Sequence, residues 1–205
     1  MMKLYFSGAS PFVRKVLVVL HETGQMDEVA LETIQTTAIT PDAGVAASNP
    51  LKKIPALVRA DGVTLYDSRV ITAWLDDRAG AGLYPQGAGR FDMAVLEATA
   101  DGIMDAAVSM AYETRLRPAD KQWDGWLDAQ WGKVTSACAA LENRWMGHLQ
   151  GELNIGQIAV ACALGYLDFR HDARGWRDGV PGLAAWYAAF SERPSMVASA
   201  PPEAV

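Results

Sequence analysis

Asn49-Pro50-Leu51-Lys52-Lys53-Ile54-Pro55-Ala56-Leu57-Val58-Arg59-Ala60-Asp61-Gly62-Val63-Thr64-Leu65-Tyr66-Asp67-Ser68 carries two apolar segments, a tight-turn dipeptide between them and a helix start after them. Ala56 to Arg59 and Val63 to Tyr66 flank Asp61-Gly62, a pair that accepts the positive φ angles of a short hairpin. The two segments are expected to pair antiparallel. Asp67-Ser68 then opens a helix in which Val70, Ile71, Trp74 and Leu75 recur at helical spacing. Pro55 stands at the first residue of a strand, where its missing N–H removes no ladder bond.

Toward the N-terminus, Lys3 to Phe6 reads as a strand. After Ser7-Gly8-Ala9, Ser10-Pro11 starts a helix through Val13, Val16, Leu17 and Leu20: serine at the N-cap and proline at the first helical position is a strong start signal. Gly24 ends that helix, and Glu28 to Ile34 forms a second strand with Val29, Leu31 and Thr33 on one face. Thr36 to Pro50 is turn-rich, with room for a short helix near Pro41 to Ala47. The predicted order is β-α-β-α-β-β-α.

Toward the C-terminus, Gly80 to Gly87 breaks the periodic pattern and reads as a linker. Everything beyond it is predicted to be helical. Phe91, Val95, Ala98, Gly102, Ala106 and Met110 follow one 3.6-residue period, and Trp123, Leu127, Trp131, Val134, Cys138, Leu141 and Trp145 another. Asn154 and Gln157 have the spacing of a capping box ahead of Ile158 to Leu167, a run apolar on every face that predicts a buried helix. A last helix runs through Leu183, Trp186, Tyr187 and Phe190 toward Arg193-Pro194, and the tail from Pro201 is expected to be loose. The predicted domains are 1–79 and 88–205, joined by 80–87.

Composition narrows the function. The 205 residues include 18 basic and 24 acidic ones, a net charge of −6. That is the wrong sign for a protein that neutralises nucleic-acid phosphates or anionic lipid, so a small-molecule ligand is expected. Cys138 and Cys162 are the only cysteines, too far apart for a redox pair, and the three histidines lack metal-ligand spacing. No basic-then-apolar leader or membrane-length apolar run is read, which makes the cytoplasm the expected compartment.

Three places have the makings of a site, each with an ordinary alternative. Ser10 precedes a helix N-terminus, where free N–H groups and the dipole favour an anion. Its hydroxyl either caps the helix or donates a hydrogen bond to a thiolate. A charge-assisted bond of about 1.5 to 3 kcal/mol could lower a thiol pKa by about one or two units from roughly 8.5. Lys53-Ile54-Pro55 is either a plain strand start or, with a cis Ile54–Pro55 bond, a place where the Ile54 backbone faces outward to pair with an extended peptide. Asp67 and Ser68 either cap a helix or hold the ammonium and carboxylate of an α-amino acid head group. All three fall at one edge of one small sheet. Thiol, peptide backbone and amino-acid head group together describe glutathione.

Taken with Lys3-Leu4-Tyr5-Phe6, Ser10-Pro11-Phe12-Val13-Arg14-Lys15-Val16, Asn49 to Leu57 and Leu65-Tyr66-Asp67-Ser68, the chain resembles the glutathione S-transferase family. In particular it is similar to bacterial members with an N-terminal Ser-Pro-Phe-Val-Arg-Lys motif and a serine at the position of Ser10. Ala100 to Ala106 and Ala161 to Arg170 extend the resemblance over nearly the whole chain. It implies a thioredoxin-like α/β N-terminal domain followed by an all-α domain, a cis-proline at Pro55, and glutathione as co-substrate without a metal. The implied glutathione contacts are Ser10, Phe12, Lys53, Ile54, Pro55, Asp67 and Ser68, with Ser10 as the catalytic residue. A homodimer is implied as well, in which Asp101 would approach the partner's glutathione. Met104, Val108 and Tyr112 either line a pocket for a small apolar electrophile or pack in the core. The family's buried helix more often begins with Ser or Thr and has Asp three residues on; Asn154 and Gln157 keep the same capping logic. Transfer of an alkyl or aryl group to glutathione is the expected activity. Isomerisation, dehalogenation and peroxide reduction use the same platform, as do non-catalytic interaction proteins.

Overall fold

The computed structural model describes residues 1–202 and divides into two compact units, the first comprising Met1–Tyr84 and the segment from Pro194, the second Pro85–Arg193. In the first unit the elements are β1 (Met2–Phe6), α1 (Pro11–Glu22), β2 (Val29–Thr33), α2 (Ala43–Ser48), β3 (Ala56–Val58), β4 (Thr64–Leu65) and α3 (Ser68–Ala79). This is the predicted order. The sheet runs β2-β1-β3-β4, with β1 and β2 parallel and the other pairs antiparallel.

Alternation along β1 sends successive side chains to opposite faces. Tyr5 packs with Val45 of α2 and Ala56 of β3 on one face, which assigns the fully buried Leu4 to the other. α1 and α3 pack on each other, and Val13, Val16, Val18, Val19 and Leu20 of α1 with Ile71 and Leu75 of α3 are buried. Asp76 of α3 turns the chain after Gly80, accepting the N–H groups of Leu83 and Tyr84 at 2.7 and 3.0 Å.

Val29, Leu31 and Thr33 share one face of β2 by alternation, and on it only Val29 is buried, β2 being the edge strand with β1 as its single neighbour. The C-terminal segment also forms a further helix, α9 (Pro194–Ala198), which packs on α1. In the sequence, Arg193-Pro194 signals only the end of the preceding helix.

The second unit contains α4 (Arg90–Leu116), α5 (Asp124–Ala140), α6 (Met146–Leu149), α7 (Ile155–His171) and α8 (Pro181–Ser191), with a π-helical turn at Leu141–Trp145 leading from α5 into α6. α7 is the centre: every residue from Ile155 to Leu167 is buried. It packs along α4, and Gly156 permits the approach, since a Cβ there would lie 2.7 Å from Met93 Sδ and 2.8 Å from Leu96 Cδ2.

The period predicted for α4 is observed, but of the predicted stripe only Ala106 and Met110 lie in the core. Phe91 and Val95 are 65% and 51% exposed, whereas Met93, Leu96, Ala100, Ile103, Met104 and Ala107 are buried. This helix carries apolar residues on both stripes, and α7 packs along it. Glu142, in the π-helical turn, accepts the Gly182 and Leu183 N–H groups at 3.1 and 2.6 Å and so caps α8, whose Val180 N-cap has no side-chain oxygen to offer. No helix among the described residues is long and apolar enough to cross a membrane.

Candidate functional site

Strand register brings the three predicted places together. Tyr5, near the end of β1, pairs with Ala56, the first residue of β3; Leu57 pairs with Leu65, the last of β4. Hence the turn after β1 that carries Ser10, the Lys53-Ile54-Pro55 segment ahead of β3, and Tyr66-Asp67-Ser68 after β4 all lie at one edge of the sheet. Two peptide bonds are cis, Ile54–Pro55 and Tyr66–Asp67, and both are at this edge.

Ser10 has extended backbone angles, φ −91° and ψ 121°, and its Oγ accepts the Val13 N–H at 3.3 Å while its carbonyl accepts the Arg14 N–H at 3.0 Å. Pro11 has no N–H. The Phe12 N–H has no acceptor among the described residues, so the first turn of α1 keeps one free donor beside Ser10. A serine hydroxyl has one proton and two lone pairs; the cap engages a lone pair and leaves the proton uncommitted.

At the second place, Asn49 organises the loop. Its Nδ2 donates to the Lys53 carbonyl at 2.8 Å and its Oδ1 accepts the Leu51 N–H at 2.9 Å, with Lys52 at φ 55° between them. Ile54 is half-buried against the Tyr5, Val45 and Ala56 cluster, which fixes its position. Neither its N–H nor its carbonyl bonds to another main-chain group among the described residues. Lys53 is exposed.

At the third, Asp67 is the N-cap of α3. Its Oδ1 accepts the Arg69 N–H at 3.0 Å and its Oδ2 the Arg69 guanidinium at 3.2 Å. Partial burial alone would raise the Asp67 pKa, but the Arg69 side chain and N–H, helped by Lys15, hold it below the ordinary carboxylate value. Ser68 is buried, yet its hydroxyl has no protein partner; since Arg14 Nε is the single fully buried side-chain polar atom without a partner among the described residues, the Ser68 hydroxyl retains an opening to solvent. The edge thus presents, in order, a hydroxyl proton, an unpaired peptide group, and a carboxylate beside a free hydroxyl.

The remaining predicted residues lie on α4 in the second unit. Met104 is completely buried, Val108 half-buried and Tyr112 partly exposed, so the pocket-lining and core readings divide along this helix. Burial raises the Tyr112 pKa, with Arg115 pulling the other way. Asp101 is buried and has a partner of its own. Both cysteines are buried thiols in this unit, and burial pushes Cys138 up to about 12. No group of three His, Cys, Asp or Glu side chains among the described residues could hold a metal ion.

Asn49 and Arg69 contribute to this edge, although the sequence does not single them out as site residues. Asn49 reads there as part of a longer motif, and an arginine on a helix ordinarily reads as a solvated charge. The signal for Asn49 was the Asn-Pro turn two residues ahead of an exposed lysine pair.

The model of the glutathione S-transferase N-terminal domain matches residues 9–78, and that of the C-terminal domain residues 124–189. The chain is 36% identical over 207 residues to the uncharacterized glutathione S-transferase-like protein YibF of Escherichia coli (strain K12), spanning 99% of this chain and 100% of YibF. A crystal structure of a glutathione transferase family member from Pseudomonas fluorescens Pf-5 with bound glutathione is 50% identical, with a TM-score of 0.96 over 98% of this chain and 100% of that one. A structure from the same organism with bound S-(propanoic acid)-glutathione is 48% identical, with a TM-score of 0.92 and the same coverage.

Proposed function

Because the chain belongs to the glutathione S-transferase family, we propose that it binds glutathione along the β1–β3–β4 edge and activates the thiol for attack on a small apolar electrophile. The observation that carries this reading is the strand register, which gathers three different unpaired groups where a thiol, a peptide and an amino-acid head group would each find a partner. In this reading the Ser10 hydroxyl donates to the sulfur, with the Phe12 N–H beside it. Ile54 pairs through its backbone with the cysteinyl part of the ligand, in a segment fixed by Pro55, and Lys53 offers its ammonium to a ligand carboxylate. Asp67 takes the ligand ammonium, and Ser68 with the α3 N-terminus takes the adjacent carboxylate.

The chemistry is nucleophilic. A serine cannot act as a base here, but its proton stabilises the thiolate over the thiol, so more of the bound ligand is reactive at neutral pH. The sulfur's electron pair then forms the new C–S bond while a leaving group departs with its own pair. Val108 and Tyr112, with Met104 behind them, are proposed as apolar lining for that electrophile. The S-substituted glutathione held by the Pseudomonas fluorescens relative supports a site of this kind with room beyond the sulfur.

We assign the protein to the cytoplasm and to a homodimer. The exposed apolar stripe of Phe91 and Val95 on α4 supports the second assignment, as does the prevalence of twofold assemblies. In such a dimer Asp101 would face the ammonium of the glutathione held by the second subunit. Titration calorimetry with glutathione tests the proposal, with a dissociation constant between micromolar and millimolar expected, followed by turnover of aryl halides and activated alkenes. Absence of glutathione binding sinks it and leaves the non-catalytic interaction reading.

A further inference from the structure

Arg14, one helical turn beyond Ser10, points inward and is only 7% exposed. Its Nη2 donates to the Met196 carbonyl of α9 at 3.0 Å, and its Nε has no partner. No carboxylate pairs with it among the described residues. A guanidinium does not shed its proton in a protein, so a whole positive charge is buried here against one carbonyl oxygen. Such a charge is costly unless something of opposite sign reaches it.

Space for a counter-charge adjoins it. Arg14 lines a cavity of about 60 Å³ together with Phe6, Ser7, Gly8, Leu17 and residues 198–200. That exceeds the roughly 10 to 15 Å³ that one water needs, and suits an ion of chloride or formate size. The Gly8 N–H, on the turn between β1 and α1, has no acceptor among the described residues and adds a second donor type to the lining. Size and a single uncompensated cation both favour a monovalent ion over phosphate or sulfate.

We propose that this cavity is a binding site for a small monovalent anion, held by Arg14 and the Ser7–Gly8 turn. The anion neutralises Arg14 and links two pieces of chain distant in sequence: the turn that delivers Ser10, and the C-terminal segment of α9. Its site is separate from the sheet edge proposed for glutathione and stands whether or not that proposal does.

Two measurements on the full-length protein decide it. In a crystal grown with sodium bromide, an anomalous difference peak is expected beside Arg14 Nε. Water alone in the cavity, or a carboxylate of the chain itself, overturns the proposal. In thermal unfolding, sodium chloride, bromide or formate is expected to raise Tm by a few degrees, about the effect of a weak ligand at saturation, with sodium gluconate at equal ionic strength as the bulky control. The increment should saturate, disappear in Arg14→Met and persist in part in Arg14→Lys. Equal Tm in chloride and gluconate overturns the site. If Arg14→Met does not fold, loss of the increment in Arg14→Gln makes the same test.

Discussion

The N-termini of α7 and α3 solve one problem in opposite ways. At α7, Asn154 Oδ1 accepts the Gln157 N–H at 3.1 Å and Gln157 Oε1 accepts the Asn154 N–H at 3.0 Å, while Gln157 Nε2 donates to the carbonyls of His148, Leu149 and Gly151. The side chains of both cap residues are fully engaged, and the helix behind them is buried from Ile155 to Leu167. At α3, Asp67 caps through Arg69, but the Ser68 hydroxyl is left without a partner, and at α1 the Phe12 N–H and the Ser10 proton are left in the same state. A helix start closed by its own side chains holds the fold; one that keeps spare donors at a sheet edge is prepared for a ligand. Changes at the closed end should therefore cost stability without affinity, and changes at the open ends the reverse.

The largest effect is expected for Gln157→Leu, which removes three side-chain bonds to carbonyls at a buried position and strips the Asn154 N–H and the Gly151 carbonyl of their partner, while His148 and Leu149 keep the Gly151 N–H and the Trp186 Nε1–H. A loss of about 3 to 5 kcal/mol in denaturant unfolding is expected, and the folded fraction should keep wild-type glutathione affinity. A loss below about 1 kcal/mol would mean water satisfies those carbonyls and the end is less closed than it looks.

Next come Asp67→Ala and Ser68→Ala, each of which leaves a charge of the ligand without its partner. About 1.5 to 3 kcal/mol of binding should go, roughly 10- to 150-fold in dissociation constant, with stability changed by no more than the loss of a surface cap. The pH dependence follows from the lowered Asp67 pKa. A carboxyl depressed in the folded state contributes fully above its unfolded value of about 3.9 and loses its contribution as pH falls through the lower folded value. Affinity measured by calorimetry should thus be flat above about pH 5 with respect to this group. Unchanged affinity in both variants removes the head-group assignment.

A somewhat smaller effect is expected from Gly156→Ala, whose added methyl would press on Met93 and Leu96. Overpacking of about 1 to 3 kcal/mol should appear as a lower Tm, again with glutathione affinity intact. A neutral result would show that the flexible Met93 side chain simply moves aside.

Much of this was legible in the sequence for identifiable reasons. Asp61-Gly62 and Ser10-Pro11 are local signals whose mechanism needs no distant partner, so the hairpin and α1 were placed by residues alone. The Asn154–Gln157 capping box is equally local and was read correctly. The buried stripe at the start of α4 was not, because Phe91 and Val95 are as apolar as Met93 and Leu96, and which stripe is buried depends on where α7 packs. The exposure of β2 was not legible for a similar reason: alternation cannot tell an edge strand from an inner one. At the site, residue types pointed to the three places, but the spare proton of Ser10 and the unpaired backbone of Ile54 are matters of geometry. Arg14 was the least legible of all, since only the return of α9 makes it buried.

The central claim is that Ser10 keeps a proton for the ligand sulfur while its lone pair caps α1, and ultraviolet titration of the bound thiolate tests it most directly. In wild type the pKa of bound glutathione should lie about one to two units below roughly 8.5, and Ser10→Ala should raise it by about one unit or more. Glutathione affinity at low pH, where the sulfur is a neutral thiol, should hardly change. The same variant should lose about 0.5 to 2 kcal/mol of stability with its cap, so activity alone would not separate the two roles. A wild-type thiol pKa in a Ser10→Ala protein that has lost only thermal stability would contradict the account and leave Ser10 a cap.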